Sequence, residues 1–510
     1  MPTRPHPLDR LPLSALQVTA LLVLALPLAG LALALADTGD ASVRWPVGAR
    51  HMGLLWRSVV FSGAVALGTA ALGAWLAWGL MGVRHGSRVL ACVLAPLLIM
   101  PLSIQGLNWA TAILQLNSHW QRSGAAFQLA GWPAAWLAEV LSMLPLATGI
   151  AWAGFSLLDR RLLASAMLYQ GPRAVVWRVA LPLAWPMLAT GVGLLFVLSL
   201  ADYTVPSVFV VQVYALEIFS AYSASSHPAG AIITALPVMA VIGAVMALML
   251  LGGVRSRPFR NTGSRGSWPC RTSGWHAATA VGTLGLLLVL PLAALAAGAG
   301  SWERLLDAAG AARDEIRVSL RVALTTAAVV VLLGIGVARG MLRGRGRPIW
   351  WFLACLMFAI PAPLVGIGLL RIASLGGPWL EQCLPVWACV TRFLPVGGFV
   401  GYAVLRRLDH DLLEAARVYQ HSRWHGARRV VLPLARSGWV VAAVAGFTLT
   451  LGELGASLLV ALPGDSTLII RMYNLLHYGA SQEVAALGLA LALPALAAGL
   501  ALAVWLVKSD

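Results

Sequence analysis

Residues Leu408–Pro433 read LDHDLLEAARVYQHSRWHGARRVVLP, a polar, basic stretch set between two long apolar runs. Residues Leu158–Pro182 read LDRRLLASAMLYQGPRAVVWRVALP. Both contain Leu-Leu, then three small or acidic residues, then two apolar or basic ones, then Tyr-Gln. Both close on Leu-Pro-Leu-Ala. Two such loops, about 250 residues apart, mark a tandem repeat. Other landmarks keep the register: Arg57 with Arg317, Pro101 with Pro361, Leu144-Pro145 with Leu394-Pro395, and Phe196-x5-Asp202 with Phe447-x5-Glu453. The spacing between partners shrinks along the chain because the first half carries a longer loop around Asn117–Gly131.

The apolar runs explain what the repeat is made of. Of 510 residues, 59% are hydrophobic and only 11% charged, against roughly 25% charged in a soluble globular protein. Runs near 20 apolar residues read as membrane-spanning helices. Twelve are expected, at about 11–36, 58–80, 89–112, 133–156, 184–203, 230–252, 276–298, 318–338, 348–370, 384–405, 438–460 and 484–507. The fold class expected is therefore all-α, a polytopic membrane protein built as two tandem six-helix domains. The first domain is 1–254 and the second 276–510. The Gly-, Ser- and Pro-rich stretch between them, 255–275, is a basic linker. The first apolar run exceeds the 7–15 residues of a signal-peptide core, so a retained helix is expected there.

Charge sets the orientation. With the N-terminus cytoplasmic, the inside segments hold 25 of the 36 Lys and Arg and only 6 of the 19 Asp and Glu. That alternation is the positive-inside pattern. The net charge of +17 is thus a topology signal and does not call for nucleic acid. Both termini and both Leu-Pro loops fall on the cytoplasmic side. Five scattered cysteines form no disulfide framework or CxxC site. His421 and His425 have no carboxylate or Cys to complete a ligand set, so no metal site is expected. The single lysine is Lys508, so no P-loop is possible. Any ATP must be hydrolysed on another subunit.

Cytoplasmic Glu414-Ala415-Ala416, with Leu432-Pro433 ending nineteen residues after the Glu, resembles the signature loop of ABC importer permeases. The resemblance implies a short coupling helix in each half (loops 159–182 and 409–433) that docks on an ABC ATPase subunit. Small Ala415 and Ala416 allow close approach, Glu414 offers a charge, and Pro433 ends the loop helix and starts the next span. The sequence departs from the family at Gln420, where Gly is usual. The first loop reads Ala164-Ser165-Ala166 before Pro182 and lacks the Glu, so coupling would be asymmetric between the halves. The fused form, with SLADYTVPS at 199–207 and LGELGASLLVALPGDSTLIIRMYNLLHYG at 451–479, is similar to ferric iron and thiamine permeases. Implied partners are two copies of the ATPase, which carry the ATP and Mg, a periplasmic or extracellular substrate-binding protein, and the lipid of a bacterial inner membrane. No cofactor is expected on this chain and no bond chemistry, hence no enzyme activity.

Ionisable residues in spans are functional candidates, because the bilayer penalises them by roughly 2.5–3.5 kcal/mol on insertion scales. Asp202 and Glu453 are repeat partners at outer span ends, and could line a cation-accepting vestibule or simply cap the loops that follow. Glu139 and Arg392 could pair across the two halves or snorkel outward. Glu217 and Arg471 fall in segments that could be short outer helices, forming a gate or a solvated face. The substrate expected from the resemblance is ferric iron; thiamine, phosphonate or another small anion is the alternative. Outside the class stands an ion-coupled secondary transporter, which would need carboxylates or His near span centres. A membrane-embedded enzyme would need them clustered on one outer loop. The importer reading expects Glu414→Lys to abolish ATP-dependent uptake by cells expressing the variant at the parent level; unchanged uptake would overturn the coupling role of the loop.

Overall fold

Hydrocarbon offers no partner to a backbone N–H or C=O, so a chain this apolar must satisfy them within helices. The computed structural model describes residues 14–36, 48–81, 94–124, 127–225, 228–255, 274–342, 346–408, 425, 427–478 and 481–509. The principal helices are α1 (Ser14–Ala36), α2 (Ala49–Met81), α3 (Leu102–Arg122), α4 (Gly131–Ser156), α5 (Arg160–Tyr169) and α6 (Leu181–Ala201). They continue with α7 (Tyr214–Ser225), α8 (Pro228–Arg255), α9 (Gly274–Ala299), α10 (Trp302–Ala311), α11 (Arg313–Leu342) and α12 (Arg347–Ala359). The last are α13 (Ala362–Gly376), α14 (Pro378–Arg407), α15 (Arg436–Leu451), α16 (Leu468–Tyr478) and α17 (Ser481–Ser509). Among the described residues the β contact is a lone bridge, Leu462 to Asp465. The protein is an all-α polytopic membrane protein.

Among the described residues nine helices are long and apolar enough to cross a membrane, or up to eleven if two bent pairs each count as one span. Twelve straight spans were expected, and the difference has a cause at proline. The ninth expected span, 348–370, is broken: α12 and α13 meet at 108° around Pro361 (φ −54°, ψ 138°). The third is broken at the repeat partner Pro101 (φ −56°, ψ 142°). A proline has no N–H to donate and excludes the residue before it from helical geometry, so a new helix starts there. Gln105 answers the break in the first half: its Nε2 donates to the carbonyls of Leu97 (2.7 Å) and Met100 (2.8 Å). The eleventh expected span, 438–460, ends early. Its helix α15 stops at Leu451 and is bent 58° from the preceding segment.

Contacts sort the chain into two compact units that interleave in sequence. A first-half unit holds α2–α6, α9, α10 and α17; a second-half unit holds α1 and α11–α15. The opening helix of each half therefore packs with helices of the other half. In the second-half unit Gly30 of α1 lies against Gly368 of α13, leaving no room for a Cβ on either. In the first-half unit α9 packs on α2: a Cβ on Gly79 would meet Ala280 at 2.8 Å, and His276 Nε2 hydrogen-bonds the Trp75 carbonyl (3.1 Å).

Within each unit a close crossing recurs. In the first-half unit a Cβ on Gly73 of α2 would stand 2.7 Å from Ala147 Cβ of α4. In the second-half unit a Cβ on Gly397 of α14 would stand 2.8 Å from the Val330 carbonyl of α11, and Gly334 faces the Gly397 backbone. Lipid tails are as apolar as leucine, so helix association in a bilayer depends on such close backbone approach between small residues. Gly397→Leu is expected to destabilise the chain by about 1–3 kcal/mol through overpacking. Gly63→Leu, with nothing within 4 Å of its Cβ position, is the tolerated control. A thermal melt of the solubilised full chain, read by size exclusion, compares them, and equal melting would contradict the tight crossing.

Candidate functional site

The first Leu-Pro loop forms helix α5. Asp159 caps it by accepting from the Arg161 N–H (2.9 Å), filling one of the orphan donors of the first turn. One side chain anchors it. Leu163 is fully buried in a cluster with Ala77, Phe155, Leu158, Ala180 and Ala184, drawn from the ends of α2, α4 and α6. Ala164 and Ser165 are exposed and Ala166 is half-buried. Leu168 and Tyr169 are 83% and 87% exposed. A short helix thus clamps onto three span ends and presents small residues plus two large apolar side chains away from them.

Both Leu-Pro pairs are preceded by one π-helical turn, Val176–Ala180 and Ala427–Val431. The Leu181 N–H closes onto the Val176 carbonyl, five residues back. A proline ring in a helix collides with the carbonyl four residues earlier, here Arg178 for Pro182 and Arg429 for Pro433. Widening the turn removes that collision, which is a local reason for a π segment in each half. Glu414, Ala415, Ala416 and Gln420 lie outside the described residues. A second cluster among the described residues repeats the first: Ala338, Leu405, Val431 and Ala435 with Leu408 packed on, matching Ala77, Phe155, Ala180, Ala184 and Leu158.

The intramembrane ionisable residues meet partners inside their own unit. Arg392 Nη1 lies 2.7 Å from both carboxylate oxygens of Glu453, and its guanidinium sits 6.0 Å from the Phe393 ring centre. The Ala456 N–H also donates to Glu453 Oε1 (2.8 Å). Glu139, fully buried in α4, accepts from Ser199 Oγ of α6 (2.6 Å). Glu139 and Arg392 thus each have a partner within their own unit. Asp202 ends α6 and accepts from the Thr204 N–H (2.9 Å). Asp202 and Glu453 thus each accept a backbone N–H just past a helix end, and among the described residues Glu453 also bonds an arginine.

Glu217 and Arg471 lie on short helices, α7 and α16. Each is tied to the start of a long helix of its half, α2 or α11, with the charges exchanged. Glu217 faces Arg50 (3.3 Å) and His51 (3.6 Å). Arg471 donates to Glu315 (2.8 Å) and the Ala311 carbonyl (2.9 Å). Burial, with the Glu217 carboxylate adding, pushes the Tyr214 hydroxyl up to about 12. A second tie also repeats: the first N–H of α7, at Tyr214, donates to Ser58 Oγ, and that of α16, at Leu468, to Ser319 Oγ, both at 2.8 Å. Sequence reading passed over Ser58, Ser319 and Ser199. Their one sequence signal was position beside the repeat markers Arg57, Arg317 and Asp202, because a serine in an apolar run has no periodicity of its own.

Residues 330–509 match the family model described as "Binding-protein-dependent transport system inner membrane component". A Salmonella paratyphi A protein named as a 2-aminoethylphosphonate transport system permease, PhnV, is 32% identical over 190 residues, which are 36% of this chain and 70% of that protein. Its Salmonella typhimurium counterpart is 31% identical over the same shares. The spermidine/putrescine transport system permease protein PotC of Escherichia coli K12 is 30% identical over 178 residues, 33% of this chain and 65% of PotC. With repeated span sockets, bent spans at matched prolines and these relatives, the chain belongs to the binding-protein-dependent ABC importer permeases, as a multi-pass subunit of the inner membrane.

Proposed function

We propose that this chain supplies both permease domains of one importer, 1–254 and 276–510, and that two copies of an ATPase act on its loops 159–182 and 409–433 from the cytoplasmic side. One observation supports the reading above the rest: α5 exposes Leu168 and Tyr169 while its Leu163 is locked among the ends of α2, α4 and α6. A partner that shifts α5 must shift those spans with it. ATP binding then drives alternation between two states of the permease, provided that the ATPase binds the two states with different affinity. A substrate-binding protein outside delivers the cargo, and no bond is made or broken in this chain.

The cargo we propose is a small charged solute. The relatives reported above are named for 2-aminoethylphosphonate and for spermidine and putrescine, compounds that share a primary ammonium group, and the first of them falls within the phosphonate alternative. Ferric iron has no support from these names and stays as one arm of the test. Cells lacking the chain are compared with the parent for uptake of labelled 2-aminoethylphosphonate, putrescine and ferric iron, with ATP depletion as control. Loss of an ATP-dependent component for one of them identifies the cargo class. Replacing Leu168 and Tyr169 together by Asp is expected to lower that component at least tenfold at equal chain level. Full uptake by this variant would remove α5 from the coupling path.

A further inference from the structure

The two units handle the same acidic position differently. In the second-half unit Glu453 is neutralised internally by Arg392, with the guanidinium against both carboxylate oxygens and near the Phe393 ring. In the first-half unit the register partner of Arg392 is Ser142, and a second carboxylate, Glu139, stands where the other half has Cys389. Glu139 bonds Ser199, which lies one helical turn before Asp202, and the Asp202 N–H in turn donates to the Ser199 carbonyl (3.1 Å). Glu139 and Asp202 are thus linked through Ser199. No basic side chain among the described residues bonds either one. Glu139 is 0% exposed, and its Oε1 has no hydrogen-bond partner among the described residues.

Aromatic rings gather beside this pair. Tyr203 stacks on Phe219 (centroids 6.2 Å apart, 10° between planes) and meets Tyr473 edge-on (6.3 Å, 87°). Tyr473 Oη lies 3.3 Å from Ser207 Oγ, and Asp202 acts electrostatically on the Tyr473 hydroxyl. Asp202 keeps part of its surface exposed. An unpaired carboxylate buried out of water is costly, and either a proton or a cation that joins it relieves the cost; aromatic faces attract organic cations. A phosphonate or other anion would be repelled. Three or more His, Cys, Asp or Glu placed to hold a metal ion do not occur together among the described residues, which disfavours a metal.

We propose that Glu139, Asp202, Tyr203 and Tyr473 form a binding subsite for the primary ammonium group of a small organic solute, in the position that Arg392 fills within the other unit. The inference rests on the importer reading for its meaning as a cargo subsite, but its test does not need the ATPase. The purified full chain in lipid nanodiscs, without ATP or partners, is assayed for equilibrium binding of radiolabelled putrescine. Saturable binding is expected, competed by butylamine and not by 1,4-butanediol. Glu139→Gln and Asp202→Asn are each expected to weaken it tenfold or more. Tyr473→Leu is expected to weaken it several-fold, with Tyr473→Phe restoring it, because the ring and not the hydroxyl meets the cation. If Glu139→Gln fails to give a monodisperse chain, Asp202→Asn and the Tyr473 pair decide. Absence of saturable binding to the unaltered chain, or binding that survives both carboxylate changes, overturns the proposal. Amine binding without ATP-dependent uptake in cells would instead count against the importer reading and leave the subsite standing.

Discussion

In each unit two long helices cross closely at a glycine, Gly73 on Ala147 and Gly397 on Val330. In a bilayer, where water does not drive apolar surfaces together, that close approach supplies the packing attraction. It also sets the register of both helices along their length. One turn beyond the crossing, α2 delivers Ala77 to the socket that receives Leu163. At the opposite end α2 delivers Ser58 to the first N–H of α7. The second-half unit repeats this with Ala338 in its socket and Ser319 under α16. The same crossing thus governs the ends of the bundle where α5 and α7 attach.

The breaks in the helices belong to the same scheme. A straight span would carry its axis past Pro101 and Pro361, but the missing N–H and the fixed φ stop it there. The carbonyls released must find donors inside the protein, and Gln105 is the donor in the first half. The π-helical turns before Pro182 and Pro433 answer the other defect of proline, its collision with a carbonyl four residues back. The breaks and the π-helical turns both recur at matched positions, so they follow from where proline stands and not from chance irregularity.

Polar chemistry is where the duplication diverges. Arg392 and Glu453 close on each other in one unit, while in the other Glu139, Ser199 and Asp202 come together with no basic side chain among the described residues bonded to either carboxylate. The outer ties invert in sign as well, Glu217 toward Arg50 and Arg471 toward Glu315. Packing constrains the small residues and the sockets, because a lost close approach weakens a whole unit. A buried charge need only find a partner, so its sign and source can change between copies.

Residue pattern alone carried the tandem repeat, the all-α membrane class, the importer-permease resemblance and the capping role open to Asp202 and Glu453. These depend on local physics: run length, charge alternation, proline, and a carboxylate just past a helix end. The sequence also placed Pro101 and Pro361 in register, yet read both spans as straight, since hydropathy counts apolar residues and is blind to a missing N–H. Tertiary structure alone decided that α1 packs with helices of the second half and α9 with those of the first, that Glu139 takes Ser199 and Arg392 takes Glu453, and that three rings converge near Asp202. Each of those is a choice among chemically equivalent partners far apart in the chain, and only the three-dimensional close packing of Gly30 on Gly368 or Gly79 on Ala280 makes that choice.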